Sequence, residues 1–143
     1  ARVRADPLLA PVFARMSPAH AAHVATFVAE VLGGPAAYTA LSADVAGPES
    51  GHEGGHGSGH ARMIGRHLGR GLTEAQRARW VALLLESADA VGLPDDPEFR
   101  SAFVAYLEWG SRLAVTNSQP GVPAPEHLPM PQWGWGVPGG PYR

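Results

Sequence analysis

Helix start and stop signals divide this chain, and no stretch alternates between apolar and polar residues with the period of two that a half-buried strand requires. Thr73 stands three residues before Gln76, which is the capping-box pattern of a helix start. Downstream apolar residues recur at spacings of three and four. The same kinds of signal predict helices over residues 18–32, 74–91 and 97–117, with a shorter one over 61–67. The sequence therefore predicts an all-α protein.

Two stretches lack this periodicity. Residues 39–59 combine scattered glycines with several histidines, which predicts a flexible loop. Residues 119–143 hold seven of the 14 prolines, and this composition favours irregular or polyproline-like backbone. We therefore expect the C-terminal stretch to lie outside the core.

Composition narrows the functional class. The chain has no cysteine, which excludes disulfides, thiolate catalysis and thiolate ligation of haem. A net charge of −2 gives no electrostatic signature of nucleic acid or membrane binding. No apolar run approaches the roughly 18 residues of a membrane span. These features predict a cytoplasmic protein with neither a nucleic-acid nor a membrane partner.

His67 and Trp80 are the most informative pair of side chains. His67 comes at the end of the short predicted helix, and Trp80 comes on the second turn of the next one. The two side chains can therefore face one cavity, and a single imidazole in an apolar, aromatic-walled cavity suits axial ligation of a haem iron. Spacing alone favours the plainer alternatives, in which His67 is a surface histidine near a helix end and Trp80 is a core residue.

Four local strings carry a family resemblance. They are the Phe27–Tyr38 string with its Gly-Gly-Pro, the Gly59–His67 string, the tryptophan at position 80, and Tyr106-Leu107-Glu108. Together they resemble the group II truncated haemoglobins, and the Pro/Trp-rich tail is similar to tails of actinobacterial members. The resemblance implies a truncated-globin domain over residues 1–117, a two-over-two helical sandwich, followed by a C-terminal extension over 118–143. The family's first helix and its distal tyrosine would precede Ala1, so we expect a fragment or a form shortened at the N-terminus.

The resemblance also implies a cofactor and an activity. The cofactor is haem b, with His67 as its iron ligand and the sixth position open for O2 or another diatomic ligand. The implied function is reversible oxygen binding, with handling of nitric oxide or peroxide left open, and so the protein resembles an oxygen carrier more than a dedicated enzyme. An unspecified reductase and a homodimer are partners that the family leaves open.

The family's motifs map further residues onto the haem pocket. Phe13 would pack on the porphyrin, Val24 would lie over the iron, and His20 would donate a hydrogen bond to the ligand or gate its entry. His23 and Arg66 would lie near the haem propionates. The full set of implied haem contacts is Phe13, His20, His23, Val24, Phe27, Tyr38, Met63, Arg66, Leu72, Trp80, Leu84 and Tyr106. For the apolar members ordinary core packing is the alternative, and for His20 the alternative is a solvated position.

Two other functional classes stay open at this point. His52, His56 and His60 recur every four residues and could bind a metal, although the glycines among them disfavour the helix that would align them. The same spacing is compatible with an exposed loop that has no role. The tail could instead offer Trp133 and Trp135 to a groove of a partner protein.

Overall fold

The computed structural model describes residues 2–44, 59–125 and 128–134, with the backbone alone for 42–44. Over these residues the protein is all-helical and contains no strand, which confirms the predicted all-α class. The helices are α1 (Arg2–Ala5), α2 (Ala10–Phe13), α3 (His20–Val31), α4 (Ala37–Asp44), α5 (Gly59–Gly65), α6 (Glu74–Ala90) and α7 (Pro97–Asn117).

The helix caps were largely predictable. Thr73 accepts the Gln76 N–H and the Gln76 side chain accepts the Thr73 N–H, so the predicted capping box is confirmed. Asp96 caps α7 by accepting the Phe99 N–H at 2.9 Å. Ser17 does not cap α3. Its side chain and carbonyl instead close a turn, and the helix begins at His20, two residues later than predicted.

Two local predictions were wrong. Residues 37–44 form α4, although residues from 39 onward were predicted to be loop. This helix has almost no amphipathic pattern, and it is fixed from outside, by the Glu30 carboxylate that accepts the Thr39 N–H and hydroxyl and by burial of Tyr38. The helix α5 begins at Gly59 and ends at Gly65, so His67 follows it instead of closing it.

The helices α6 and α7 form an antiparallel pair. Arg77 near the start of α6 bonds Glu108 in the second half of α7 at 3.0 Å, whereas Asp89 near the end of α6 pairs with Arg100 near the start of α7 at 2.9 Å. The short connection between the helices requires this arrangement. Buried side chains from both helices fill the seam, and they are Val81, Ala88, Phe103 and Leu107.

A second buried cluster joins α3, α4 and α7. It consists of Phe27, Val31, Tyr38 and Tyr106, and Val28 packs against both clusters. Met130 and Trp133 also pack against this second cluster. The described part of the tail is irregular, as expected, but these two partly buried side chains pack against the core instead of standing apart from it. A proline-rich segment can pack side chains without forming a helix because its prolines lack an N–H, so its backbone needs fewer hydrogen-bond acceptors.

The N-terminal helices are held against α6 by a charged pair. The Arg79 guanidinium donates to the carboxylate of Asp6 at 2.6 Å, and the other oxygen of Asp6 accepts the N–H groups of Leu8 and Leu9. The Arg79 guanidinium, followed by these backbone bonds, holds the pKa of Asp6 below its ordinary value. This anchor fixes the turn that leads to α2 and to Phe13.

Candidate functional site

His67 is held in one orientation by its own local backbone. Its Nδ1 lies 2.8 Å from the carbonyl oxygen of Met63, one turn earlier in α5. A carbonyl can only accept a hydrogen bond, so Nδ1 carries the proton and Nε2 carries the lone pair. Among the described residues, Nε2 has no hydrogen-bond partner. The ring is therefore oriented with its basic nitrogen available.

Burial keeps His67 neutral. Desolvation lowers the pKa of His67, and the bond to Met63 only partly opposes this; the positive charge of Arg70 lowers it further. A neutral imidazole with one nitrogen hydrogen-bonded to a carbonyl is the form in which histidine ligates metals. The side chain is thus chemically prepared to act as a ligand.

The loop after His67 is clamped to the end of α7. The Gly71 N–H donates to the Ser118 carbonyl and the Leu72 N–H donates to the Ser118 hydroxyl, each at 2.8 Å. Ser118 is completely buried. Gly69 and Gly71 take positive φ angles, which let the chain turn sharply enough to reach it. Sequence reasoning missed Ser118, because a serine after a helix carries no signal of its partner 46 residues away.

His20 lies in the neighbourhood of His67. As the first residue of α3 it is half-buried, and its ring meets Phe13 edge-on with 5.8 Å between centroids. Burial lowers the pKa of His20, and the electrostatic influence of His67, followed by that of Arg66, lowers it further. His23 adds to the same effect. Of the predicted site residues, Phe13 therefore packs against His20, and His67, Arg66 and His23 lie near enough to His20 to influence its charge.

An aromatic cluster lies beside this group. Phe27 and Tyr38 meet edge-on at 5.0 Å, and Met63 packs against the cluster that contains them. The Tyr38 hydroxyl also accepts a hydrogen bond from Arg66, although burial is the larger influence and raises the pKa of Tyr38. Burial raises the pKa of Tyr106 as well. Through Met63 and Arg66 the buried aromatic residues are directly joined to the segment that carries His67.

Four other residues that were predicted to contact haem lie on α3, on α6 and in the loop before α6. Trp80 and Leu84 pack against the seam between α6 and α7, as core residues do, and the Trp80 indole N–H has no acceptor among the described residues. Leu72 is half-buried and takes part in the clamp through its backbone. Val24 is half-buried one turn after His20. Among the described residues, none of these four side chains forms a hydrogen bond with either imidazole.

A separate apolar groove of about 550 Å³ lies between the end of α3 and the start of α7. Its larger apolar side chains are Val28, Leu32, Leu93, Phe99 and Phe103. Neither His20 nor His67 lines it. The groove is therefore distinct from the pocket that the sequence predicted.

The alternative metal site cannot be placed in full, because His52 and His56 lie outside the described residues. The Nδ1 of His60 lies 2.9 Å from the carbonyl oxygen of Pro129. Within the described ranges, no three histidine or acidic side chains come together in a group that could hold a metal ion. The same ranges contain no helix long and apolar enough to cross a membrane.

We compared the chain with models of known protein families, with curated proteins and with solved structures, and found no match in any of the three. A functional assignment for this protein therefore depends on the chemistry of its own residues.

Arg77 is a buried charged residue that the sequence did not indicate. The side chain of Arg77 is 6% exposed and bonds the carboxylates of Glu74 and Glu108 and the hydroxyl of Ser111. The carboxylates remain partly in water, and this network fixes α6 against α7. Its charge is already paired, so it offers no free cation to a ligand.

Proposed function

We propose that this protein binds a b-type haem through Nε2 of His67 and uses it to bind O2 or another small diatomic ligand. One observation carries the proposal. His67 is a partly buried imidazole whose lowered pKa favours the neutral form, whose Nδ1–H is fixed by the Met63 carbonyl and whose Nε2 has no hydrogen-bond partner among the described residues. A carbonyl in this position sets the tautomer and raises the basicity of a ligating histidine.

The surrounding residues fit a haem in three respects. The neighbouring cluster of Phe27, Tyr38, Met63 and Tyr106 offers an apolar, aromatic surface. Arg66, the residue directly before His67, is exposed, and its guanidinium can bond a carboxylate such as a haem propionate. The chain has no cysteine, so an imidazole is the natural axial ligand among its side chains.

A haem held by His67 would supply an iron that can bind a diatomic ligand. The role of the protein is to control binding of that ligand. His20 has a lowered pKa and is therefore a neutral donor near pH 7, and the Trp80 indole is a second N–H donor, which has no acceptor among the described residues. Each such bond contributes about 1 kcal/mol to holding a polar ligand, which affects chiefly its dissociation rate.

Titration with hemin tests the proposal. The full chain should bind one equivalent and develop an intense Soret band, and the ferrous protein should shift that band on addition of carbon monoxide. His67→Gly should lose tight binding or change coordination, and added imidazole should restore it. A colourless protein after hemin addition, or an unchanged spectrum in His67→Gly, would reject the assignment.

A double variant, His52→Gln with His56→Gln, serves as the matched control. It removes two imidazoles from the loop and leaves His67 intact, so we expect its hemin titration to match that of the unaltered protein. The same variant addresses the metal-binding alternative. If it loses affinity for Ni²⁺ or Zn²⁺ while no variant binds hemin, the loop histidines are the better explanation of function.

A further inference from the structure

We infer that residues 128–134 form a strap that positions α5, and with it His67, by bridging that helix to α3 and α7. That the strap positions α5 is inferred from the structure alone. That it also affects a ligand bound at His67 rests on the proposed function. The strap is defined here as Leu128–Gly134, and both of its anchors, Met130 and Trp133, pack against the aromatic cluster.

The first anchor is Trp133. Its backbone N–H donates to the carbonyl of Val31 at the end of α3, at 2.9 Å. Its indole meets Tyr106 at 5.9 Å and Trp109 at 5.6 Å between ring centroids, both on α7. One residue thus ties the strap to two long helices by a backbone bond and by aromatic packing.

The second anchor lies on α5. The carbonyl of Pro129 lies 2.9 Å from Nδ1 of His60, and the sulfur of Met130 packs over Gly59. A Cβ at position 59 would lie 3.3 Å from that sulfur and 3.0 Å from the Tyr38 ring. Glycine is therefore the residue that lets the strap and Tyr38 approach the first turn of α5 together.

The helix α5 needs such support. It has seven residues with glycine at both ends, and so short a helix has little stability of its own. Among the helices its main neighbour is α4, whose own sequence pattern is weak. The strap adds links to α3 and α7, which belong to the two buried clusters.

The consequence for His67 follows from one hydrogen bond. The Met63 carbonyl that orients the imidazole belongs to α5. If α5 loosens, that acceptor moves and Nε2 loses its fixed direction. Met130 and Trp133 are therefore positioning residues, which act on the site through α5 and do not touch a ligand.

Hydrogen exchange of the haem-free full chain tests the strap directly. In Trp133→Ala, amides of residues 59–67 should exchange about ten-fold faster or more, while the central amides of α6 keep their rates. Trp133→Phe should restore most of the protection because it keeps an aromatic ring on Tyr106. Trp109→Ala removes an indole of the same size from the same aromatic group without a link to α3 or α5, and should change the 59–67 amides much less.

The functional part uses the hemin-loaded protein. Trp133→Ala should release hemin to apomyoglobin about ten-fold faster and should broaden or shift the iron–histidine stretching band, and Trp133→Phe should reverse both. Unchanged exchange at 59–67 in Trp133→Ala overturns the inference. If that variant loses its fold, Met130→Ala is judged by the same criterion. If exchange rises as expected but no variant binds hemin, the strap stands and the haem proposal fails.

Discussion

Ser118→Ala is the sharpest test of how the loop after His67 is held. The hydroxyl is completely buried, accepts the Leu72 N–H at 2.8 Å and donates to the Val115 carbonyl at 2.8 Å. Alanine nearly matches serine in size, so no cavity of consequence forms. The cost comes from a backbone N–H in a partly buried position that loses its acceptor.

The loss of stability follows from the hydrogen bonds that the former partners of Ser118 keep after the substitution. The Val115 carbonyl keeps a bond from the Gln119 side chain at 2.8 Å, so losing the serine donor matters little. The Leu72 N–H keeps no acceptor among the described residues, and an unsatisfied group of this kind costs about 1–3 kcal/mol. We expect the free energy of unfolding to fall by about 2 kcal/mol, which lowers the Tm of a chain of this size by about 6 °C.

Urea denaturation of the haem-free protein, followed by far-UV circular dichroism, measures this change. Thr116→Ala is the matched control, because it removes a hydroxyl from the same end of α7 whose donor bond to the Arg112 carbonyl is exposed. Its expected cost is below about 0.5 kcal/mol. If Ser118→Ala and Thr116→Ala unfold at the same urea concentration, the clamp does not hold the loop and the reasoning fails.

Three further predictions concern stability. Leu107→Ala, at a side chain 2% exposed in the seam between α6 and α7, should cost about 3 kcal/mol in chemical denaturation, and a loss below about 1 kcal/mol would mean the seam is not tightly packed. The pKa of His67 is lower in the folded chain than in the unfolded chain, so the unfolded state binds the extra proton as the pH drops below about 6.5. Stability of the haem-free protein should therefore decrease on acidification, by up to about 1.4 kcal/mol per pH unit from this residue, until its folded-state pKa is passed. Denaturation curves at pH 7 and pH 5 should show a smaller difference in His67→Gln, and an equal difference would contradict the assignment. Gly92→Ala should cost about 1 kcal/mol because its φ is +68°, whereas Gly65→Ala, where a Cβ meets open space, should be neutral or slightly stabilising; equal Tm values for the two would refute this.

Prediction from the sequence worked best where structure is local. The starts of α6 and α7 follow from Thr73 and Asp96, whose side chains bond N–H groups three residues later. The helix α4 was not predicted because it is stabilised by Glu30 and by burial of Tyr38, and not by an amphipathic pattern in its own sequence. For the site, the sequence singled out His67, and the local bond to Met63 is the kind of contact that spacing can anticipate.

The sequence by itself determined the helical class, the caps that begin α6 and α7, and the absence of thiol chemistry, since these depend on residue type and on contacts within one turn. Only the tertiary structure decided that His20 comes near enough to His67 to be influenced by it, that Arg77 is buried between two carboxylates, and that Met130 and Trp133 pack against the core. Trp133 bonds a carbonyl about a hundred residues earlier, and Ser118 clamps a loop that precedes its own helix pair. Such contacts arise when whole helices pack, because burial free energy selects partners by shape and not by their distance along the chain.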